Sequence, residues 1–411
     1  MKSILVNPPQ QPIRAVIQLA ASKSECNRAL IINALTGFKS ELSNISEARD
    51  SQTMQRLLNS QDHIADVIDA GTTMRFLTAY FAVTNQSKIM TGTPRMCERP
   101  IGILVDALRV LGADITYEKV EGYPPLKLNG FTYSGTNEIT MRGDVSSQYI
   151  SALLLIAPEL PGGITIKLEG EVGSKPYIEM TLNQMAYFGI DYKADWQTNT
   201  IQIPPFKYQP KPYAIESDWS GASYWYSIVA LAEEAEVELL GLKKDSLQGD
   251  SAIVDIMRHL GVESVFTDGG VLLTKIPDAP SIGWDFTDCP DLAQTVAVCC
   301  AVKNIRLSMT GVESLKIKET DRIFALQEEL RKLGAELKEI EKDHLYEVAV
   351  NKDAVLTTPP SIHTYDDHRM AMAFAPAGMV SPIIIEEPGV VVKSYPGYWN
   401  DLAKVTSWEE I

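Results

Sequence analysis

Four glycines constrain the fold most. Each closes a stretch that reads as an amphipathic helix: Leu104–Gly112, Leu182–Gly189, Ile253–Gly261 and Leu326–Gly334. Leu, Ile or Met recur at helical spacing with polar residues between, and glycine stands where a helix turns out of the right-handed conformation. These glycines lie 77, 72 and 73 residues apart. A second set of helices, Ala-rich and apolar, begins near Arg28, Arg75, Gln148, Ser223, Leu292 and Arg369, at intervals of 47, 73, 75, 69 and 77 residues. Such a period is longer than a solenoid repeat of roughly 20–50 residues. It fits a duplicated unit with one buried and one exposed helix. Short β-rich runs lie between the helices, at Gly163–Glu169, Thr200–Ile203, Glu236–Leu240, Val271–Thr274, Arg306–Thr310, Tyr346–Val350 and Ile383–Ile385. Strands and helices mix throughout, so the class is α/β or mixed α+β.

A chain of 411 residues is past the size at which one core keeps growing, and two domains are expected. The proline-rich passage Pro204–Pro212 breaks the periodicity, and an interdomain crossing is placed near Glu216. The net charge of −16 argues against nucleic acid or an anionic membrane surface as partner. Apolar runs such as Ala152–Ala157 and Thr295–Val302 fall far short of the roughly 18 residues of a membrane span. Asn7-Pro8-Pro9 interrupts any signal-peptide core. The five cysteines form no CxxC pair, and adjacent Cys299 and Cys300 read as small buried hydrophobes. Reduced thiols and a cytoplasmic location are expected.

A short polar motif precedes each apolar helix: Ser22–Arg28, Asp69–Arg75, Gly143–Gln148, Ser217–Ser223, Asp288–Asp291 and Tyr365–Arg369. Helix N-termini carry unpaired N–H groups and the positive end of a dipole, so each suits an anion. In an acidic molecule an anionic ligand needs cations gathered locally. In the first motif, Lys23, Ser24 and Arg28 can converge on one phosphate, or they can be a capped helix start with solvated charges. Gly71 and Thr72 offer backbone N–H groups unobstructed at the glycine, or simply a turn into a core helix. Ser146, Ser147 and Gln148 can donate to an oxyanion or merely cap. Arg95 and Arg99 form a basic loop open to the same two readings. Lys318 and Arg322 would repel at i,i+4 on a helix, so an anion between them is the better explanation. His363 and His368 do not match zinc spacing, and no metal site is expected. No GxGxxG or Walker loop is present.

In order along nearly the whole chain, the strings SKSECNRAL, AGTTMR, PRMCERPIG, GDVSSQ, SKPYIEMTL, KIKETDR, YDDHRMAMAF and VVKSYPGYW resemble signatures of the 5-enolpyruvylshikimate 3-phosphate (EPSP) synthase family. The resemblance implies two similar domains, each of three βαβαββ units, with the active site in the interdomain cleft. Residues 1–21 and 217–411 would form a discontinuous domain and 22–216 an inserted one. It implies transfer of the enolpyruvyl group of phosphoenolpyruvate to the 5-hydroxyl of shikimate 3-phosphate, without metal or organic cofactor. Small anionic substrates are the only partners implied, and a monomer is expected. By matching motifs, Asp291 looks like the base on the 5-hydroxyl and Glu319 like the group that protonates the methylene carbon. Lys23 would bridge both substrates, and His368 would support proton transfer. Ser24, Arg28, Ser146, Ser147, Gln148, Ser174, Tyr177, Ser314 and Lys318 would hold shikimate 3-phosphate together with Lys23 and Asp291. Gly71, Arg99, Gln148, Arg322, Arg369 and Lys393 would hold phosphoenolpyruvate.

Three positions depart from the pattern. Asp69 stands where the family usually has asparagine, and its carboxylate would repel phosphoenolpyruvate unless a cation pairs with it. Phe76 replaces a common proline, and Ser314 an asparagine that contacts the ring. The related UDP-N-acetylglucosamine enolpyruvyl transferase family uses a loop cysteine. Cys97 lies in the corresponding loop, but its offset from Arg99-Pro100 does not match.

Overall fold

The computed structural model describes residues 2–350 and 359–411. The chain divides into two compact units, Met1–Ser22 with Glu216–Ile411, and Lys23–Ile215. One supersecondary pattern recurs through both. In the Lys23–Ile215 unit, strands Ile64–Asp66 and Lys88–Thr91 pair in parallel, with helix Gly71–Val83 between them in sequence. Helix Gly102–Leu111 then leads into the antiparallel pair Ala113–Tyr117 and Leu126–Phe131, and the later strand docks on Lys88–Thr91. Parallel neighbours need a crossover, and here the buried helix supplies it.

The same βαβαββ order is seen in Glu138–Ile203 and in Ser281–Val350. Two further copies take a strand from the N-terminal segment: Ile13–Gln18 pairs in parallel with Ala235–Leu240, and Ser3–Val6 sits between Ile383–Glu386 and Trp408–Glu410. The sixth copy keeps helices Lys23–Leu35 and Arg49–Leu58 with the parallel pair Tyr213–Ala214 and Leu42–Ser43; its sheet has two strands where each of the others has four.

All four helix-closing glycines adopt positive φ, as the sequence spacing requires. At Gly112 the need is steric as well, since a Cβ there would lie 1.9 Å from the Thr132 carbonyl oxygen. The apolar helices are the inner ones. Trp219–Leu231 is buried along its whole length, and it packs with Ala293–Lys303 and His368–Phe374 in one unit. Lys23–Leu35, Gly71–Val83 and Ser147–Ile156 pack together in the other. Full burial of each Leu, Ile or Val contributes roughly 1.5–3 kcal/mol, which fixes these helices against their sheets. Cys299 and Cys300 are fully buried in this core, and burial pushes the Cys299 thiol up to about 11, so it serves as packing. No helix among the described residues is long and apolar enough to cross a membrane.

Candidate active site

Within each unit, side-chain contacts bring together residues of several motifs that precede the helices. In the unit containing Glu216–Ile411, the meeting point is Arg322, 1% exposed. Its Nη1 donates to Asp291 Oδ1 at 3.0 Å, Nη2 to Glu319 Oε2 at 2.8 Å, and Nε to Asp367 Oδ2 at 2.7 Å. Arg369 completes the other side of Asp291, with Nη2 at 2.8 Å from Oδ2 and Nη1 at 3.3 Å from the Tyr224 hydroxyl. Lys318 Nζ lies 3.9 Å from Asp291, and Lys393 Nζ lies 3.6 Å from Glu319. His368 is buried, with Nδ1 3.6 Å from Asp367. Asp367 also caps its helix by accepting from the Arg369 N–H at 2.9 Å.

The Lys318–Arg322 expectation is corrected in one respect. Asp321 caps the helix Arg322–Arg331, so Lys318 lies outside it, at the end of the 3-10 turn Glu313–Ile317. The two cations are therefore not i,i+4 neighbours on a helix; an anion does stand between them, and it is the carboxylate of Asp291.

Burial alone would raise the Asp291 pKa, but Arg369, Lys318 and Arg322 together outweigh it and hold the carboxyl below the usual range. Burial lowers the Lys318 pKa, and Asp291 partly restores it. Behind this cluster lies Asp250, whose Oδ2 accepts from the Ser220 hydroxyl; Arg369 Nη2 is 3.4 Å from the same hydroxyl. Burial first, then the charge of Asp291, pushes Asp250 up to about 7.

In the unit Lys23–Ile215, the helix begins at Lys23 itself, so Lys23 and Ser24 belong to its first turn. Lys23 Nζ donates to Asp50 Oδ2 at 3.0 Å. Arg28 is 2% exposed and tied to two other helices: Nε to Thr181 at 2.7 Å and Nη2 to the Tyr177 carbonyl at 3.1 Å in Lys175–Tyr187, and Nη2 to Ser151 at 3.2 Å in Ser147–Ile156. Its guanidinium also faces the Phe76 ring at 5.4 Å, which gives the departure at residue 76 a packing role. Burial lowers the Arg28 pKa to about 10, still far above neutrality, so the charge persists.

Arg95 and Arg99 differ in environment. Arg95 is exposed and pairs with Glu98, whereas Arg99 is buried over Gly71. A Cβ on Gly71 would come within 2.8 and 2.9 Å of the Arg99 guanidinium nitrogens, so only glycine admits that approach. Gln148 Nε2 reaches Thr72 Oγ1 at 3.2 Å, joining two helix starts, and Ser146 caps the helix Ser147–Ile156. Ser174 stands ahead of Lys175–Tyr187 in the left-handed region, φ 53°. Asp69 is paired: Arg49 Nη2 lies 3.0 and 2.9 Å from its two oxygens. Ser314 lies half-buried in the turn Glu313–Ile317.

Sequence reasoning missed Asp50, Arg49, Asp250 and Tyr224, and it quoted Ser220 and Asp367 only as parts of motifs. Asp367 carried a signal, being an N-cap type directly ahead of His368 and Arg369.

Two carboxylates, Asp291 and Glu319, share one buried guanidinium here, among further cations, Lys318, Arg369 and Lys393. Paired carboxylates among gathered cations are the class of site suited to proton transfer on small, multiply charged anions. The family model for EPSP synthase (3-phosphoshikimate 1-carboxyvinyltransferase) matches residues 55–402, and the chain belongs to that family. Among its relatives, a 3-phosphoshikimate 1-carboxyvinyltransferase of Bacteroides fragilis is 48% identical, covering 97% of both chains. One of Vibrio atlanticus is 35% identical, covering 98% of this chain and 99% of that one. A solved EPSP synthase structure from Acinetobacter baumannii superposes with a TM-score of 0.79 at 18% identity over the full length of both chains, a likeness of fold.

Proposed function

We propose that this chain transfers the enolpyruvyl group of phosphoenolpyruvate to the 5-hydroxyl of shikimate 3-phosphate and releases phosphate, a step of the shikimate pathway toward aromatic amino acids. The observation that carries this reading is the joint hold of Arg322 on Asp291 and Glu319. Asp291 takes the proton of the 5-hydroxyl. Glu319, protonated, delivers one to the methylene carbon, the cations stabilise the phosphate-bearing tetrahedral intermediate, and Glu319 takes a methyl proton back as phosphate leaves. A carboxylate held strongly ionised is a weak base. Substrate phosphate and carboxylate groups compete for Arg369, Lys318 and Arg322, which loosens their grip on Asp291 and raises its basicity when the hydroxyl is in place. Lys393, 3.6 Å from Glu319, keeps that group oriented, and His368 supports the transfers through Asp367.

Shikimate 3-phosphate is assigned to Lys23, Ser24, Arg28, Ser146, Ser147, Gln148, Ser174, Tyr177, Asp291, Ser314 and Lys318. Phosphoenolpyruvate is assigned to Lys23, Gly71, Arg99, Gln148, Arg322, Arg369 and Lys393. Arg28 contributes chiefly by fixing Ser24 and Tyr177, since it donates to both backbone carbonyls, at 2.8 and 3.1 Å. The enzyme acts as a cytoplasmic monomer; free thiols at all five cysteines, four of them buried, favour a reducing compartment.

The test is phosphate release from the purified protein with shikimate 3-phosphate and phosphoenolpyruvate. No release, with release on UDP-N-acetylglucosamine instead, overturns the assignment. Glu319→Gln is expected to bind both substrates and to lose at least about 100-fold in kcat, the usual scale of general acid–base catalysis. Lost binding with unchanged turnover per bound substrate contradicts that role.

A further inference from the structure

We propose that the Arg49–Asp69 ion pair sets the affinity for phosphoenolpyruvate, by holding back a carboxylate that would otherwise confront the donor's phosphate. The inference rests on the reading above that puts phosphoenolpyruvate at Gly71 and Arg99.

Asp69 lies two residues before Gly71, the first residue of the helix Gly71–Val83. The N-cap, Ala70, has no polar side chain and supplies no acceptor to the first-turn N–H groups of that helix. A carboxylate just ahead of such a helix end does two harmful things. It repels an incoming phosphate, and it is itself an anion suited to the same N–H groups and the same dipole. Arg49 opposes both, with one guanidinium nitrogen spanning the two carboxylate oxygens at 3.0 and 2.9 Å and offsetting their charge. The Asp69 side chain is 16% exposed and that of Arg49 is 39% exposed, so the pair is only partly screened by solvent.

The placement of Arg49 makes the pair specific to this corner of the site. Arg49 opens the helix Arg49–Leu58, and its neighbour Asp50 accepts from Lys23 Nζ at 3.0 Å. The Asp50 carbonyl also accepts from Thr73 Oγ1 at 3.2 Å, inside the helix that Asp69 precedes. Two consecutive residues of opposite charge thus brace two helix starts, Asp50 holding a substrate cation and Arg49 restraining a competing anion. Arg49 is a positioning residue: it acts on the donor through Asp69.

The experiment is steady-state kinetics on Arg49→Gln, Asp69→Asn and the double variant, with thermal unfolding measured alongside. Arg49→Gln is expected to raise KM for phosphoenolpyruvate roughly tenfold while KM for shikimate 3-phosphate stays within about twofold. The double variant, with the charge of residue 69 removed, is expected to return within about twofold of wild type. Equal loss of both affinities, an unchanged KM for phosphoenolpyruvate, or a double variant as weak as Arg49→Gln would each overturn the proposal. A wild-type enzyme that releases no phosphate from the two substrates fails the functional reading instead, so the two failures are distinct.

Discussion

Replacing Arg322 with methionine removes a side chain that touches three carboxylates at once, and the cost can be worked through partner by partner. Asp291 keeps Arg369 at 2.8 Å and Lys318 at 3.9 Å. Glu319 keeps Lys393 at 3.6 Å. Asp367 fares worst, because its side chain is wholly buried and loses its 2.7 Å partner, retaining the Arg369 backbone N–H and His368. Breaking a buried ion pair on one side costs about 3–5 kcal/mol, since a charge stays in low dielectric without compensation. For a unit of this size each kcal/mol moves Tm by about 2–4 °C, so a fall of roughly 6–20 °C is expected at pH 7. Calorimetry resolving the two units is the assay, because they need not unfold together. The pH dependence follows from Asp291, whose folded pKa lies below its unfolded value of about 3.9. Its stabilisation is present above that pH and fades as pH falls below it, so the gap between wild type and Arg322→Met should narrow in acid. Adding Asp367→Asn should recover a sizeable part of the loss at pH 7. A fall under about 2 °C, or no recovery in the double variant, refutes the reasoning.

Two further outcomes follow from the same geometry. Gly71→Ala pushes a methyl group to 2.8 Å from the Arg99 guanidinium, which is the flexible end and yields; KM for phosphoenolpyruvate should rise by about tenfold with Tm within about 1 °C, and an unchanged KM removes Arg99 from the donor site. Asp250→Asn tests the buried carboxyl held up to about 7, first by burial and then by Asp291. A folded pKa above the unfolded one means its ionised form destabilises, with no penalty below about pH 4 and the full penalty above 7. The variant should therefore be more stable than wild type at pH 8 by on the order of 1–3 kcal/mol and show no gain at pH 4; equal differences at both pH values contradict it.

Much of the fold was legible because its signals are local. Gly112, Gly189, Gly261 and Gly334 each end a helix in the left-handed region, and a glycine after an amphipathic run is a short-range statement about backbone sterics. Arg306–Thr310 appears as a strand with the same ends the sequence pattern gives. Strands such as Ile64–Asp66 and Val262–Phe266 were not read, because they are three and five residues long at sheet edges, where half the side chains face solvent and the apolar pattern is diluted. The shortened sixth copy was also hidden, since its two strands of two residues come from positions about 170 residues apart.

The cations of the candidate site announced themselves by standing next to apolar helices, whereas their carboxylate partners did not. Asp50 and Asp250 look like ordinary surface acids in a chain of net charge −16; only long-range packing turns the first toward Lys23 and the second toward Ser220 and Arg369. The physical reason is that a buried cation must be paired whether or not substrate is bound, and any acid the topology brings close will serve. On the proposed mechanism, Asp291 and Glu319 are constrained by the atoms they must reach. On the same mechanism, Asp50 and Asp69 enter only through the balance of charge around Lys23 and Gly71. A carboxylate at position 69 is therefore tolerable with an arginine at 49, and the pair has to be read together, across 20 residues of sequence and 2.9 Å of space.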